Sequence, residues 1–180
     1  YQHRPFAMMG EKARMNCVTF MSPSKAFNMP GLTASHAIIF NDKLRCKFRT
    51  HMDAGEFDLG HAFAFLAVEA AYSNGTEWLE QCLAYIQGNI DYVDEFLKAN
   101  APKLKVIRPQ ASYLIWLDCR EMGLSQEELN RFFVEEAHLA LNDGAMFGEE
   151  GVGFMRLNVA SPRSVIEQAM KQLAEAYQKR

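Results

Sequence analysis

The chain has 180 residues, 49% of them hydrophobic, enough to bury a core as one domain or as two small ones. Charged residues make up 23% and the formal net charge is −3, a balance that advertises no nucleic-acid or polyanion partner. Apolar stretches are far shorter than a bilayer requires and no secretory leader pattern opens the chain, so a cytoplasmic protein with no membrane association is expected.

In chain order, Asn16–Met21 and Ala34–Phe40 are short β-leaning apolar runs, and both read as strands buried on two faces. Asn41 and Asp42 offer an N-cap for a short helix through about Arg49. Phe57 to Ser73 is rich in Ala, Phe and Leu and stops at Asn74-Gly75, a C-terminal helix signal. Thr76 can cap the next helix, whose apolar positions Leu79, Leu83, Ile86, Ile90, Val93 and Leu97 keep helical spacing up to Asn100-Ala101-Pro102. A helix of that length is able to connect two domains.

Beyond it, Leu104–Ile107 and Tyr113–Leu117 read as strands separated by Arg108-Pro109-Gln110. Ser125 with Glu128 is a capping box that opens a helix. Gly153–Asn158 reads as a third strand, and Ser161-Pro162 places an N-cap and an N1 proline before a last helix to about Tyr177. Strand, strand, helix, strand, helix suggests a compact α+β unit from about Thr76 onward.

Cys17, Cys46, Cys82 and Cys119 are scattered without a CxxC pair, which suits reduced thiols better than a zinc site or a disulfide framework. The five histidines show no HExxH spacing, and Glu135 with His138 makes a single E-x-x-H where a carboxylate di-metal centre needs two. No metal is therefore expected.

Chemistry concentrates at Lys25, in the run Met21-Ser22-Pro23-Ser24-Lys25-Ala26-Phe27-Asn28-Met29-Pro30-Gly31-Leu32. Two hydroxyls precede the lysine and a Pro-Gly turn follows, on a loop between two strands where scaffolds often place reactive groups. A lysine amine attacks a carbonyl only when desolvated or otherwise held neutral, and a loop between buried strands is able to supply that environment. Ser22 and Ser24 can donate hydrogen bonds to a phosphate. Tyr113 and Asn28 stand beside these groups without an assigned role. The glycine-rich stretch from Gly144 to Gly153 is not a GxGxxG after a strand and reads as a flexible loop leading to Arg156.

The pattern Ser-x-Ser-Lys-x-Phe-Asn-x-x-Gly-Leu resembles the cofactor-lysine segment of pyridoxal-phosphate enzymes of the class I/II aminotransferase superfamily (fold type I), nearest to its cystathionine β-lyase branch. A second block from Phe147 to Arg163 and a weaker third from Pro109 to Asp118 extend the resemblance along nearly all of the chain, which corresponds to roughly the C-terminal half of such an enzyme. The start at Tyr1, in sequence that reads as mid-domain, fits that expectation of a fragment.

The resemblance implies an α/β fold in which residues 1–75 form the C-terminal part of the large cofactor-binding domain. Residues 76–180 would form a long connecting helix and a small α+β domain. It also implies that Lys25 forms a Schiff base with pyridoxal 5'-phosphate and moves the proton at the substrate Cα, that Ser22 and Ser24 lie near the cofactor phosphate, and that Arg156 holds the substrate α-carboxylate. Thr33 stands where many aminotransferases carry a second phosphate-anchoring arginine, eight residues after the lysine. That departure favours a C–S β-lyase acting on sulfur amino acids over an aminotransferase. A third alternative is the aminotransferase-like sensor domain of a transcription regulator. The expected partners are an amino-acid substrate and a second copy in a homodimer. The 180 residues alone are expected to have little activity.

Overall fold

The computed structural model describes residues 3–57 and 60–180. It divides into two compact units, Tyr1–Gln81 and Cys82–Arg180.

The first unit has sparse regular structure. After a short helix α1 (Glu11–Arg14), strands β1 (Thr19–Met21) and β2 (His36–Ile38) pair antiparallel, with Phe20 opposite Ala37. Both strands are shorter than their apolar runs, and neither is buried on two faces as expected. Phe20 is 67% exposed and Met21 45%, because the ribbon has only two strands and no third strand flanks it among the described residues. Helix α2 (Asp42–Ala54) starts at Asn41, whose side chain accepts from the amides of Lys43 and Leu44, a cap worth about 1 kcal/mol. It runs five residues past the expected end. Helix α3 (Ala62–Asn74) stops at Gly75 as expected but begins well after Phe57, and Asp58 and Leu59 lie outside the described residues. Among the described residues Ala7, Ile39 and Ala64 are the buried hydrophobic ones here, beside a buried Pro23, while Phe63, Phe65 and Leu66 on α3 face outward.

Helix α4 (Thr76–Asn100) ends where expected, but Thr76 is its first residue rather than its cap, and the division between units falls within it. Ile90, Val93 and Leu97 enter the core of the second unit, whereas Leu83 is 56% exposed. That unit is built on a four-stranded antiparallel sheet in the order β3 (Lys105–Ile107), β4 (Leu114–Asp118), β6 (Phe154–Asn158), β5 (Asn142–Asp143). Strand β5 has two residues, too short for alternation to announce it.

Along β4 and β6, Ile115, Leu117, Met155 and Leu157 point to one face and pack with Val93 and Leu97 of α4 and with Ile166, Met170 and Leu173 of α6 (Arg163–Gln178). Helix α5 (Gln126–Arg131) begins at the Ser125–Glu128 capping box, with both reciprocal bonds formed. It continues into a π-helical turn, Phe132–Glu136, whose Ala137 amide reaches the Phe132 carbonyl at 2.9 Å. That wider turn seats Phe132 and Phe133 in the core, ring to ring at 5.2 Å.

Helix α6 starts one residue later than expected. Pro162 is its N-cap, with no side-chain cap bond, so Ser161 does not cap it. The Ser161 carbonyl instead accepts from Asn89, a fully buried amide that also donates to the Val159 carbonyl and accepts from Arg163. Both donors and one acceptor position of that amide go to fixing the chain between β6 and α6.

Candidate functional site

Lys25 lies in the turn between β1 and β2. The Phe27 amide reaches the Pro23 carbonyl at 2.9 Å and the Met29 amide reaches the Ser24 carbonyl at 3.1 Å, so the chain wraps closely around the lysine. Asn28 takes φ +50°, a left-handed conformation that asparagine tolerates better than most residues, and so lets the turn close. The Lys25 side chain is exposed. The desolvated setting expected from two buried strands is therefore not supplied by the described residues, since those strands are themselves exposed.

The two serines do different work. Ser22 Oγ lies 2.7 Å from the Ala34 carbonyl, which can only accept, so its single proton goes there. The 2.6 Å contact between the hydroxyls is then donated by Ser24 to Ser22, and the Ser24 amide also points at Ser22 Oγ from 3.2 Å. Ser22 thus braces the turn against the strand that follows it, with its donor and both acceptor positions in use. Ser24 gives up only one bond if its hydroxyl turns toward an incoming anion.

Phe27 fastens the same turn to helix. Its ring lies 5.5 Å from Tyr72, edge to face, and 6.4 Å from Trp78, stacked, and His36 meets Tyr72 edge to face at 5.9 Å. Gly75 is required by that packing, because a Cβ there would stand 2.6 Å from the Phe27 ring and 2.5 Å from the Ala71 carbonyl. Thr33 ends the 3-10 turn Pro30–Leu32 at φ +48° and is exposed. An open groove of about 530 Å3 between the ribbon and α2, lined by Phe20, His36, Phe48 and Met52 among others, does not include Lys25.

Arg156 belongs to the second unit, on the sheet face opposite the core. Strand β6 presents it between Trp116 of β4 and Asn142 of β5, its partners in register. The guanidinium carbon lies 4.7 Å from the centre of the Phe147 ring, and Nη2 donates to Asn142 Oδ1 at 2.9 Å. Its Nε is buried and has no hydrogen-bond partner among the described residues. A cation so held, with one of its five N–H donors bonded among the described residues, is suited to gripping a carboxylate.

Trp116 stacks on Phe154 at 5.5 Å and meets Phe147 edge-on at 5.6 Å, so aromatic rings frame the arginine. Phe147 and Trp116 stand inside recognisable sequence blocks without a signal for this role. Asn142 carries no motif at all, since its cross-strand pairing with Arg156 is a fact of register.

The glycine-rich segment before Arg156 is packed rather than flexible. It forms two 3-10 turns, Gly144–Phe147 and Glu149–Gly151, whose backbones touch. A Cβ on Gly144 would lie 2.2 Å from the Gly151 carbonyl oxygen, and one on Gly151 would lie 2.0 Å from that of Gly144. Tyr113 packs partly buried against the core, in keeping with an ordinary strand aromatic. Glu135 and His138 are exposed.

Asp118 has its carboxyl held below the ordinary range by the Arg120 hydrogen bond, with burial partly opposing. Burial, helped by the Asp118 charge, pushes the Cys119 thiol up to about 12, which keeps it unreactive. No helix is long and apolar enough to cross a membrane among the described residues.

Compared with known proteins, residues 1–173 match the family model for aminotransferase class I and II. The chain is similar to cystathionine beta-lyase PatB of Bacillus subtilis, 38% identical over 98% of this chain and 46% of the relative. It is similar also to protein MalY of Escherichia coli, 32% identical over 96% of this chain and 45% of the relative. Among solved structures it resembles cystalysin from Treponema denticola, which contains a pyridoxal 5'-phosphate cofactor, with a TM-score of 0.92, 31% identity, and coverage of 99% of this chain and 45% of that one. The chain thus spans about half the length of the curated relatives it matches. By the match over 173 of its 180 residues, together with the lysine turn and the arginine strand, the chain belongs to the aminotransferase class I and II family.

Proposed function

We propose that this chain supplies part of a pyridoxal-phosphate-dependent C–S β-lyase. Such an enzyme converts an amino acid with sulfur at Cβ, plus water, into pyruvate, ammonia and a thiol. The observation that carries the reading is the 38% identity, across 98% of the chain, to a cystathionine beta-lyase. Thr33 in place of an anchoring arginine agrees with it.

The residues fit the cofactor. An exposed amine stands beside two hydroxyl rotors in one tight turn, which suits an aldehyde joined to a phosphate. In this reading Lys25 Nζ would hold the cofactor at its carbonyl carbon, with loss of water, and Ser22 and Ser24 would hold its phosphate. Ser24 turns outward more readily, while Ser22 must first release the Ala34 carbonyl. When bound, the cofactor supplies an electron sink for the carbanion at the substrate Cα.

Released by the incoming substrate amine, Lys25 would take the Cα proton, and its tether to a turn braced by Ser22 and Phe27 limits the positions its amine can reach. Arg156 holds the α-carboxylate through its guanidinium, and so sets which Cα bond is presented for cleavage. Departure of sulfur as thiolate takes the electron pair of the Cβ–S bond, and water then releases ammonia and pyruvate.

Residues 1–75 serve as the C-terminal part of the cofactor-binding domain and residues 76–180 as the connecting helix and small domain. The assembly is a homodimer in the cytoplasm, in keeping with four free cysteines.

A second reading, favoured by the family itself, is amino-group transfer to a 2-oxo acid. Assaying the full-length protein for pyruvate release from cystathionine, beside transamination that depends on added 2-oxo acid, separates the two. Pyruvate without added 2-oxo acid is expected, and strict dependence on that acid would replace the lyase reading with the second.

A further inference from the structure

We infer that Asn142 is a positioning residue for the substrate carboxylate: it orients the Arg156 guanidinium without neutralising it. The inference rests on the carboxylate-binding reading of Arg156 and adds a residue to that site. Asn142 and Arg156 are paired in register on neighbouring antiparallel strands, so their side chains rise from the same face of the sheet. Asn142 Oδ1 takes one proton of Nη2 at 2.9 Å, and the Phe147 ring covers one face of the guanidinium at 4.7 Å. With one edge tied and one face covered, rotation of the planar group is blocked, and the unsatisfied Nε keeps a fixed direction.

The chemistry of the partner matters. An amide oxygen is a neutral acceptor, so the arginine keeps its full charge for an anionic ligand. A carboxylate in the same place would compete with that ligand and repel it.

The backbone under Asn142 is correspondingly rigid. The next residue, Asp143, accepts from Gln126 at 2.7 Å, from Asn130 at 2.6 Å and from the Ala145 amide at 2.8 Å. Gln126 also accepts from the Gly153 amide at 2.7 Å. Helix α5 therefore pins both ends of the segment that carries Phe147 up to the strand that carries Arg156. Asn142 itself is exposed, so its side chain can be changed without opening the core.

The test uses the cofactor-loaded full-length protein and a matched ligand pair, norleucine and pentylamine, which differ by the α-carboxylate. Binding is read from the cofactor absorbance rather than from turnover. Asn142→Ala is expected to weaken norleucine about tenfold, the scale of a lost charge-assisted hydrogen bond. Asn142→Asp should weaken it further, and pentylamine binding should stay essentially unchanged in both. In protein stripped of cofactor, Asn142→Ala should also speed phenylglyoxal modification of Arg156. Equal loss for both ligands, no loss for either, or an unchanged modification rate would overturn the role of Asn142. Arg156→Ala is the control: if it leaves the preference for norleucine intact, the carboxylate reading of Arg156 falls and this inference with it. If it abolishes that preference while Asn142→Ala does nothing, Asn142 alone is excluded.

Discussion

The two units place their chemical groups on opposite kinds of support. Arg156 rises from a strand whose other face is a packed core of Ile115, Leu117, Met155, Leu157 and the helices over them. Lys25 rides on a two-stranded ribbon in a unit where, among the described residues, Ala7, Ile39 and Ala64 are the buried hydrophobic ones, beside a buried Pro23. The arginine is thus positioned by burial, and the lysine by local bonds: the Ser22 brace, the turn amides and the Phe27 aromatic contacts. Substitutions in apolar side chains should consequently mean different things in the two units.

The largest contrast is expected between Phe132 and Phe20. Phe132→Ala should cost the second unit about 3–5 kcal/mol, because a fully buried ring leaves a cavity. Phe20→Ala, at a ring 67% exposed, should stay within about 0.5 kcal/mol. Trp116 and Trp78 stand in different units, so denaturant curves on variants that keep one tryptophan report each unit separately. Equal losses at both positions would remove the distinction.

A second contrast uses glycines. Gly144→Ala drives a methyl against two backbone carbonyls, those of Gly151 and Phe154, and is expected to cost about 1–3 kcal/mol. Gly75→Ala meets one carbonyl and the Phe27 ring, which can swing aside. Its expected mark is therefore smaller in stability and visible as a change in Trp78 fluorescence.

The smallest effect is electrostatic. Burial would raise the carboxyl of Asp94, but hydrogen bonds from Lys98 and Arg108 outweigh it and hold it below its ordinary value, as Arg120 does for Asp118. Groups depressed on folding contribute stability that is complete above their unfolded pKa, about 3.9, and is lost as pH falls through the folded value. Since the cationic partners are largely exposed, the second unit should lose no more than about 1 kcal/mol from these groups between pH 6 and pH 3. Urea midpoints followed by Trp116 fluorescence across that range measure it, and a stability that rises on acidification would contradict the assignment.

Local signals were the most legible part of the sequence. The Ser125–Glu128 capping box, the Asn41 cap and the end of α4 can be read in advance, because each depends on residues within a turn or two of one another. What could not be read depends on distant partners. The runs around Phe20 and Ile38 have the composition of buried strands, yet burial is decided by layers that composition does not contain. Ser161-Pro162 has the form of a cap, but the Ser161 carbonyl is claimed by Asn89, 72 residues away.

The candidate site divides in the same way. Lys25, Ser22, Ser24 and Arg156 stand out through motif, whereas Asn142 and the unsatisfied Nε of Arg156 emerge only from register and packing. The exposure of Lys25 likewise follows from the thin support beneath it and not from its neighbours in sequence.

In the proposed reading Lys25 is the residue that binds the cofactor. Borohydride reduction of the full-length protein loaded with pyridoxal phosphate, followed by peptide mapping, tests it directly. A phosphopyridoxyl group is expected on the peptide bearing Ser22 to Asn28, attached at Lys25; the same group on any other lysine, with Lys25 unmodified, would rule out that role for Lys25.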